Sequence, residues 1–172
     1  IFKVSIGPSS SHTMGPMIAG KHFRDLLAEK KLDVKVDKVN AKLFGSLAFT
    51  GKAHGSEKGI ALGLSGFSPE TINTRQIKQT ISKIKKTSLL NISDKNKIPF
   101  TFENNILFDT KTPPKGHSNT LEIIAYSNNE EMIKKTYHSV GGGFVRVKGE
   151  RKRFALPQKS PYEFDSCDEL MT

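Results

Sequence analysis

The stretch that most constrains the fold lies near the C-terminus, where LEIIAYS and EMIKKTYHSV flank Asn128-Asn129. Both runs are rich in strand-forming residues, and asparagine tolerates the left-handed backbone that a tight hairpin turn demands. Gly141-Gly142-Gly143 followed by FVRV repeats the pattern of a turn and then a strand, so antiparallel pairing is expected here.

Upstream the period changes. Ala19, Phe23, Leu26 and Leu27 form one helical stripe that ends at Glu29-Lys30-Lys31, and Pro16 is placed where a first helical turn tolerates it. Ile1–Ile6 reads as a short strand before the Gly7-Pro8 turn. Val34, Val36 and Val39 through Phe44 read as another, closed by Gly45. The run Ile60, Ala61, Leu62 and Leu64 suggests a short buried helix ending at Gly66, after the polar loop TGKAHGSEKG. Ile72, Ile77, Ile81 and Ile84 are spaced for a second amphipathic helix. IPFTF and ILF read as β-type fragments. Helices and strands mix without a regular βαβ repeat, so the fold class is α+β: a single mixed α/β domain over residues 1–150, with antiparallel strands. From Arg151 to Thr172 the polar residues, Pro157 and Pro161 read as a linker.

Charge narrows the function classes. The 172 residues carry 27 Lys+Arg against 17 Asp+Glu, a formal +10, which raises the question of nucleic acid. Its distribution argues against that reading. Lys78, Lys83, Lys85 and Lys86 fall on the wet face of the second helix, and Lys148, Arg151, Lys152 and Arg153 form a knot without interleaved aromatics. Solvated lysine faces, or a surface meeting an acidic partner domain, fit better. No apolar run is long enough to span a bilayer, and the start of the chain is too briefly apolar for a secretory signal, so the chain reads as cytoplasmic. A single cysteine, Cys167, excludes an internal disulfide and any multi-thiolate metal site built from this chain alone.

Three segments carry candidate chemistry. IGPSSSHTMGP crowds Ser9, Ser10, Ser11, His12 and Thr13 at the start of an expected helix, where hydroxyls and free N–H groups suit a carboxylate or phosphate. A plain serine-rich cap with His12 as bystander accounts for the same residues. GKAHGSEKG sets His54 in a glycine-flanked loop, and PPKGHSNT sets His117 just before a strand with Asn119 two residues on. Two loop imidazoles and an amide offer a proton acceptor, a donor and a substrate clamp, although each histidine alone also fits an ordinary surface residue. The chain lacks HExxH, CxxC and GxSxG, which disfavours a zinc enzyme, a serine hydrolase and a thiol enzyme.

IGPSSSHTMGP, LFGSLAFTGKAHG, GHSNTLEIIAY and TYHSVGGGF, in that order, resemble the signature segments of the beta domain of bacterial iron–sulfur L-serine dehydratases (L-serine ammonia-lyases). The resemblance runs from Phe2 to about Val147. It implies a beta domain that partners a catalytic alpha domain, with a four-iron four-sulfur cluster bound by cysteines of the alpha domain. It further implies that L-serine loses water and then ammonia to give pyruvate without pyridoxal phosphate. His54 and His117 occupy the family's two beta-domain histidine positions, across the junction from the cluster. Ser9, Ser10, Ser11, His12, Thr13 and Asn119 match the segments expected to hold the substrate's carboxylate or amino group. The isolated chain is expected to be inactive, and a homodimer is the expected assembly. The family's beta domain is also similar to the allosteric substrate-binding domain of some phosphoglycerate dehydrogenases, which leaves a regulatory, serine-binding role as the alternative.

Overall fold

The computed structural model describes Gly7, residues 9–150 and the backbone of Arg153–Phe154. The strand expected at Ile1–Ile6 and most of the linker expected after Arg151 lie outside the described residues.

The C-terminal hairpin sets the architecture. Asn128 and Asn129 both adopt positive φ (53° and 65°), the backbone of a type I′ turn. β5 (Asn119–Ser127) therefore folds back on β6 (Glu130–Gly141), and β6 on β7 (Phe144–Val147). A two-residue strand, β8 (Arg153–Phe154), adds to β7. On the other side of β5 lies β1 (Lys38–Gly45), antiparallel, and beyond it β4 (Ile106–Asp109), parallel to β1. The main sheet thus runs β4-β1-β5-β6-β7-β8, and a separate hairpin pairs β2 (Leu89–Asn91) with β3 (Lys97–Pro99). The fold is mixed α/β, as the interleaved periods predict.

One face of the main sheet is apolar and buried: Val39, Ala41 and Leu43 of β1, Leu121, Ile123 and Ala125 of β5, Tyr137 of β6, and Val145 and Val147 of β7. Helix α1 (Gly15–Glu29) lays Ala19, Phe23 and Leu27 against it. The alternate residues carry charge, with Lys42 paired to Asp109 at 2.8 Å and Lys134 to Glu122 at 3.0 Å. This alternation is what an antiparallel sheet covered on one side requires.

Helix α3 (Ser56–Leu64) packs along α1 at a separation only glycine permits. A Cβ on Gly63 would stand 2.1 Å from the Met17 carbonyl oxygen, and one on Gly59 would stand 2.6 Å from that of Thr13. Helix α4 (Thr74–Thr87) begins at Asn73, whose side chain and that of Gln76 cap each other's backbone N–H groups.

Four boundaries differ from the sequence reading. Strand β1 starts only at Lys38, because Lys31 takes φ 55° and the N–H groups of Lys35 and Val36 turn back to the Leu32 carbonyl. Val36 is buried from that turn while Val34 stays exposed. The loop TGKAHGSEKG is shorter than expected, since a five-residue helix, α2 (Ser46–Thr50), precedes it and α3 already begins at Ser56. Ile72 lies ahead of the Asn73 cap rather than on α4. IPFTF is a strand only to Pro99, because Thr101 caps a short helix, α5 (Phe102–Asn105), by accepting from the Asn104 N–H.

Candidate functional site

The serine run builds a π-helical turn, Ser10–Met14, ahead of α1. The Gly15 N–H reaches back five residues to the Ser10 carbonyl, and the Ser9 hydroxyl caps the turn by accepting from the His12 N–H at 3.2 Å. Such turns are uncommon, and they often sit at functional sites because the wider spiral displaces side chains from helical register. Here it presents His12 between two hydroxyls, with Nδ1 2.8 Å from Ser11 Oγ and Nε2 3.0 Å from Ser46 Oγ.

His54 comes to the same place from the turn before α3. The Thr13 hydroxyl donates to the His54 carbonyl at 2.8 Å, and the Ser56 hydroxyl donates to the His12 carbonyl, so the two segments clasp each other. The His12 and His54 rings lie 5.2 Å apart between centroids. Among the described residues no side chain hydrogen-bonds the His54 ring, which leaves both its nitrogens open to a ligand. Burial pushes the His12 imidazole below its ordinary value, the neighbouring His54 acts in the same direction, and the hydrogen bond that the ring gives to the Ser46 backbone opposes both. His12 is therefore a neutral imidazole at pH 7.

A second pair of rings stands next to the first. Asn119 donates its backbone N–H to His117 Nδ1 at 3.0 Å. Thr120, directly opposite His138 in the β5–β6 register, bonds both the His117 carbonyl (2.6 Å) and His138 Nδ1 (2.9 Å). The His117 and His138 rings are 6.0 Å apart. His138 is held below the usual imidazole range, first by burial and then by the neighbouring His117, Lys148 and Arg146.

Backbone bonds join the two halves. The Ser46 N–H donates to the Ser118 carbonyl at 2.9 Å, immediately beyond Gly45, whose φ of 55° and ψ of −133° carry the chain from β1 into α2. Ser139 donates its hydroxyl to the Ser11 carbonyl at 2.8 Å and accepts the Asn119 amide at its own carbonyl at 3.2 Å. That amide bond fixes the Asn119 side chain with Nδ2 toward Ser139, and Oδ1 is left as a buried acceptor with no partner among the described residues.

All eight residues singled out from the sequence (Ser9, Ser10, Ser11, His12, Thr13, His54, His117 and Asn119) thus meet at one end of the domain. Ser46, Ser56, Thr120, His138 and Ser139 join them without having been named. Thr120 and His138 lie in strands the sequence marks, but only the β5–β6 register shows them to be partners. Lone serines at strand ends carry no sequence signal of their own.

Metal ligands are a separate matter. Cys167, the one cysteine, lies outside the described residues, and among those described no group of three or more His, Cys, Asp or Glu is placed to hold an ion. The site does not fit an iron–sulfur cluster's demand for several thiolates. No helix among the described residues is long and apolar enough to cross a membrane.

Comparison with known proteins places the chain in a family. A family model for the serine dehydratase beta chain matches residues 1–150. The chain is 37% identical over 177 residues to an L-serine dehydratase of Haemophilus influenzae, covering 99% of this chain and 38% of that protein. It is 39% identical over 176 residues to L-serine dehydratase TdcG of Escherichia coli, again covering 99% and 38%. An L-serine dehydratase of Streptomyces coelicolor is 36% identical over 146 residues, 84% of this chain and 32% of the relative. The chain spans little more than a third of the length of such relatives.

Proposed function

The chain belongs to the serine dehydratase beta-chain family, and from that membership we propose that it is the beta domain of an iron–sulfur L-serine ammonia-lyase. In this reading it lends His54, His117 and the serine-rich turn to an active site completed by an alpha domain. The observation that carries the reading is the convergence of the four signature segments on one hydrogen-bonded network. A domain that only docked its partner would not need four distant segments to bring two imidazole pairs and an unpartnered amide oxygen together.

Conversion of L-serine to pyruvate and ammonia begins with loss of the α-proton and of the β-hydroxyl. The α-proton needs a base, and a neutral imidazole with an open nitrogen suits that work at pH 7. His54, whose ring nitrogens make no side-chain hydrogen bond among the described residues, is placed for that work, while His117, with Nδ1 accepting the Asn119 N–H, offers Nε2–H as a donor toward the departing hydroxyl. The Asn119 Oδ1 atom accepts and does not donate, so it suits the substrate's ammonium rather than its carboxylate. The carboxylate falls to the hydroxyls of Ser9, Ser10 and Ser11 with the N–H groups of the turn, while Thr13, its hydroxyl hydrogen committed to the His54 carbonyl, holds the two segments together. An iron–sulfur cluster, held by cysteines of the alpha domain, would supply Lewis-acid assistance to the departing hydroxyl. The enzyme is expected to work in the cytoplasm as a homodimer.

The test is anaerobic serine turnover by the complete two-domain enzyme carrying His54→Ala or His117→Ala, with iron content and circular dichroism measured alongside. A loss of about a hundredfold or more with fold and iron intact is expected for removal of a proton-transfer group. Near-normal turnover in both variants would overturn the reading in favour of a regulatory serine-binding module.

A further inference from the structure

The hydrogen bonds around Thr120 determine which nitrogen of each neighbouring histidine carries a proton. Thr120 has one hydroxyl hydrogen. Its Oγ1 lies 2.6 Å from the His117 carbonyl oxygen, a separation that two oxygens adopt only with a hydrogen between them, so that hydrogen is committed to His117. The 2.9 Å contact with His138 Nδ1 must then run the other way, with the ring N–H donating to Oγ1. His138 is consequently protonated at Nδ1 and, when neutral, bare at Nε2. At His117 the logic reverses. The Asn119 backbone N–H can only donate, so His117 Nδ1 accepts and its proton sits on Nε2.

We propose that His138 is a positioning residue of the site, acting through the Thr120 hydroxyl to hold the 117–119 turn so that His117 presents a protonated Nε2. The proposal rests on the reading of this end of the domain as part of the lyase site. His138 Nδ1–H, Thr120 Oγ1–H and the His117 carbonyl form one chain in which each donor polarises the next. Thr120 is 2% exposed, so water does not replace a lost link. Were His138 in the other tautomer, its Nδ1 lone pair would compete for the Thr120 hydrogen. The His117 carbonyl would be released, and with it the turn that aims the Asn119 N–H at the ring. Burial, the neighbouring His117 and the facing charges of Lys148 and Arg146 favour the neutral ring but do not choose its tautomer, which Thr120 does.

Four variants of the complete two-domain enzyme test this, each checked for iron content and by circular dichroism. Thr120→Val keeps shape and removes the hydroxyl, whereas Thr120→Ser keeps the hydroxyl. His138→Ala removes the donor, whereas His138→Asn keeps a side-chain N–H near the Nδ1 position. Misaiming a proton-transfer group is expected to lower kcat by about tenfold or more for Thr120→Val and His138→Ala, with KM for serine changed less than about threefold. Thr120→Ser and His138→Asn should each recover most of kcat. If Thr120→Val turns over within about twofold of the parent while His117→Ala is inactive, this inference fails and the composite site stands. Equal impairment of His138→Ala and His138→Asn would likewise overturn it. If His117→Ala is itself near normal, the underlying reading fails instead.

Discussion

Replacing Gly45 by alanine strikes the domain where its stability and its site depend on one backbone atom. Gly45 ends β1 at φ 55° and ψ −133°, outside the small left-handed region that other residues visit. Forcing a residue with a Cβ into such a region costs about 1–3 kcal/mol. The new Cβ would also stand 2.4 Å from the Ser118 carbonyl oxygen and 2.8 Å from Pro114 Cγ. The oxygen is backbone and already accepts the Ser46 N–H, so it yields only if the 117–119 segment moves, an overpacking cost of about 1–3 kcal/mol. Gly45→Ala should therefore destabilise the domain by about 4 kcal/mol, which for a chain of this size lowers Tm by about 10 °C. A thermal melt followed by circular dichroism reads this directly. Gly55→Asn is the control. Gly55 also has positive φ (70°), but with ψ 33° it lies in the left-handed region asparagine tolerates, and its nearest obstacle is Lys58 Cδ at 3.7 Å. It should cost less than about 1 kcal/mol by the same comparison, and less than about 3 °C. A Tm drop under about 3 °C for Gly45→Ala, or equal drops for the two variants, would refute the assignment of Gly45 as the pivot between β1 and the site.

Two further predictions concern the histidines. His12, His22 and His138 are all held below 6.5 chiefly by burial, so between the folded values and 6.5 the unfolded chain binds more protons than the folded one. Their contribution is complete above about pH 6.5 and is lost as pH falls toward the folded values, so Tm should decline from pH 7.5 to 5.5. His138→Asn should flatten that decline, and an unchanged slope would contradict the burial argument. Tyr137 is fully buried and its hydroxyl stands 3.0 Å from His22 Nδ1, on the far side of β6 from His138. Tyr137→Phe should cost about 1 kcal/mol in urea denaturation and leave kcat and KM for serine unchanged in the complete enzyme. A fall in kcat would place His22 in the site.

Legibility in the sequence followed the range of the forces involved. The Asn128-Asn129 hairpin, the α1 stripe and FVRV were readable because each is decided by neighbours within about one or two turns of chain. Val34 misled because β-branched residues argue for a strand, while Lys31 in left-handed conformation closes α1 with the Leu32 N–H on the Leu27 carbonyl and the distant Asn96 amide holds the Asp33 and Val36 carbonyls in a turn. The parallel pairing of β1 with β4 is likewise invisible locally, since it joins Ala41 to Ile106 across 65 positions. α2 escaped notice because five residues carry too little periodicity to register.

The candidate site divides in the same way, and the division says what a serine or threonine does here. Ser9 to Thr13, His54 and His117 lie in strings unusual enough to be seen, yet their side chains would wander on loops unless something held them. Ser46, Ser56, Thr120 and Ser139 do that holding from ordinary strand and helix ends. Three of them bond main-chain carbonyls of the site segments, at His12, His117 and Ser11, and Ser46 bonds the His12 ring. A carbonyl belongs to every residue, so no sequence pattern marks which one will be gripped. The supporting shell is therefore encoded in the topology that brings the end of β1, the start of β5 and the end of β6 to the N-terminus of α1. For that reason Gly15 matters as much as any hydroxyl: a Cβ there would lie 1.9 Å from Ser139 Oγ, in the way of the bond that ties the serine turn to the sheet.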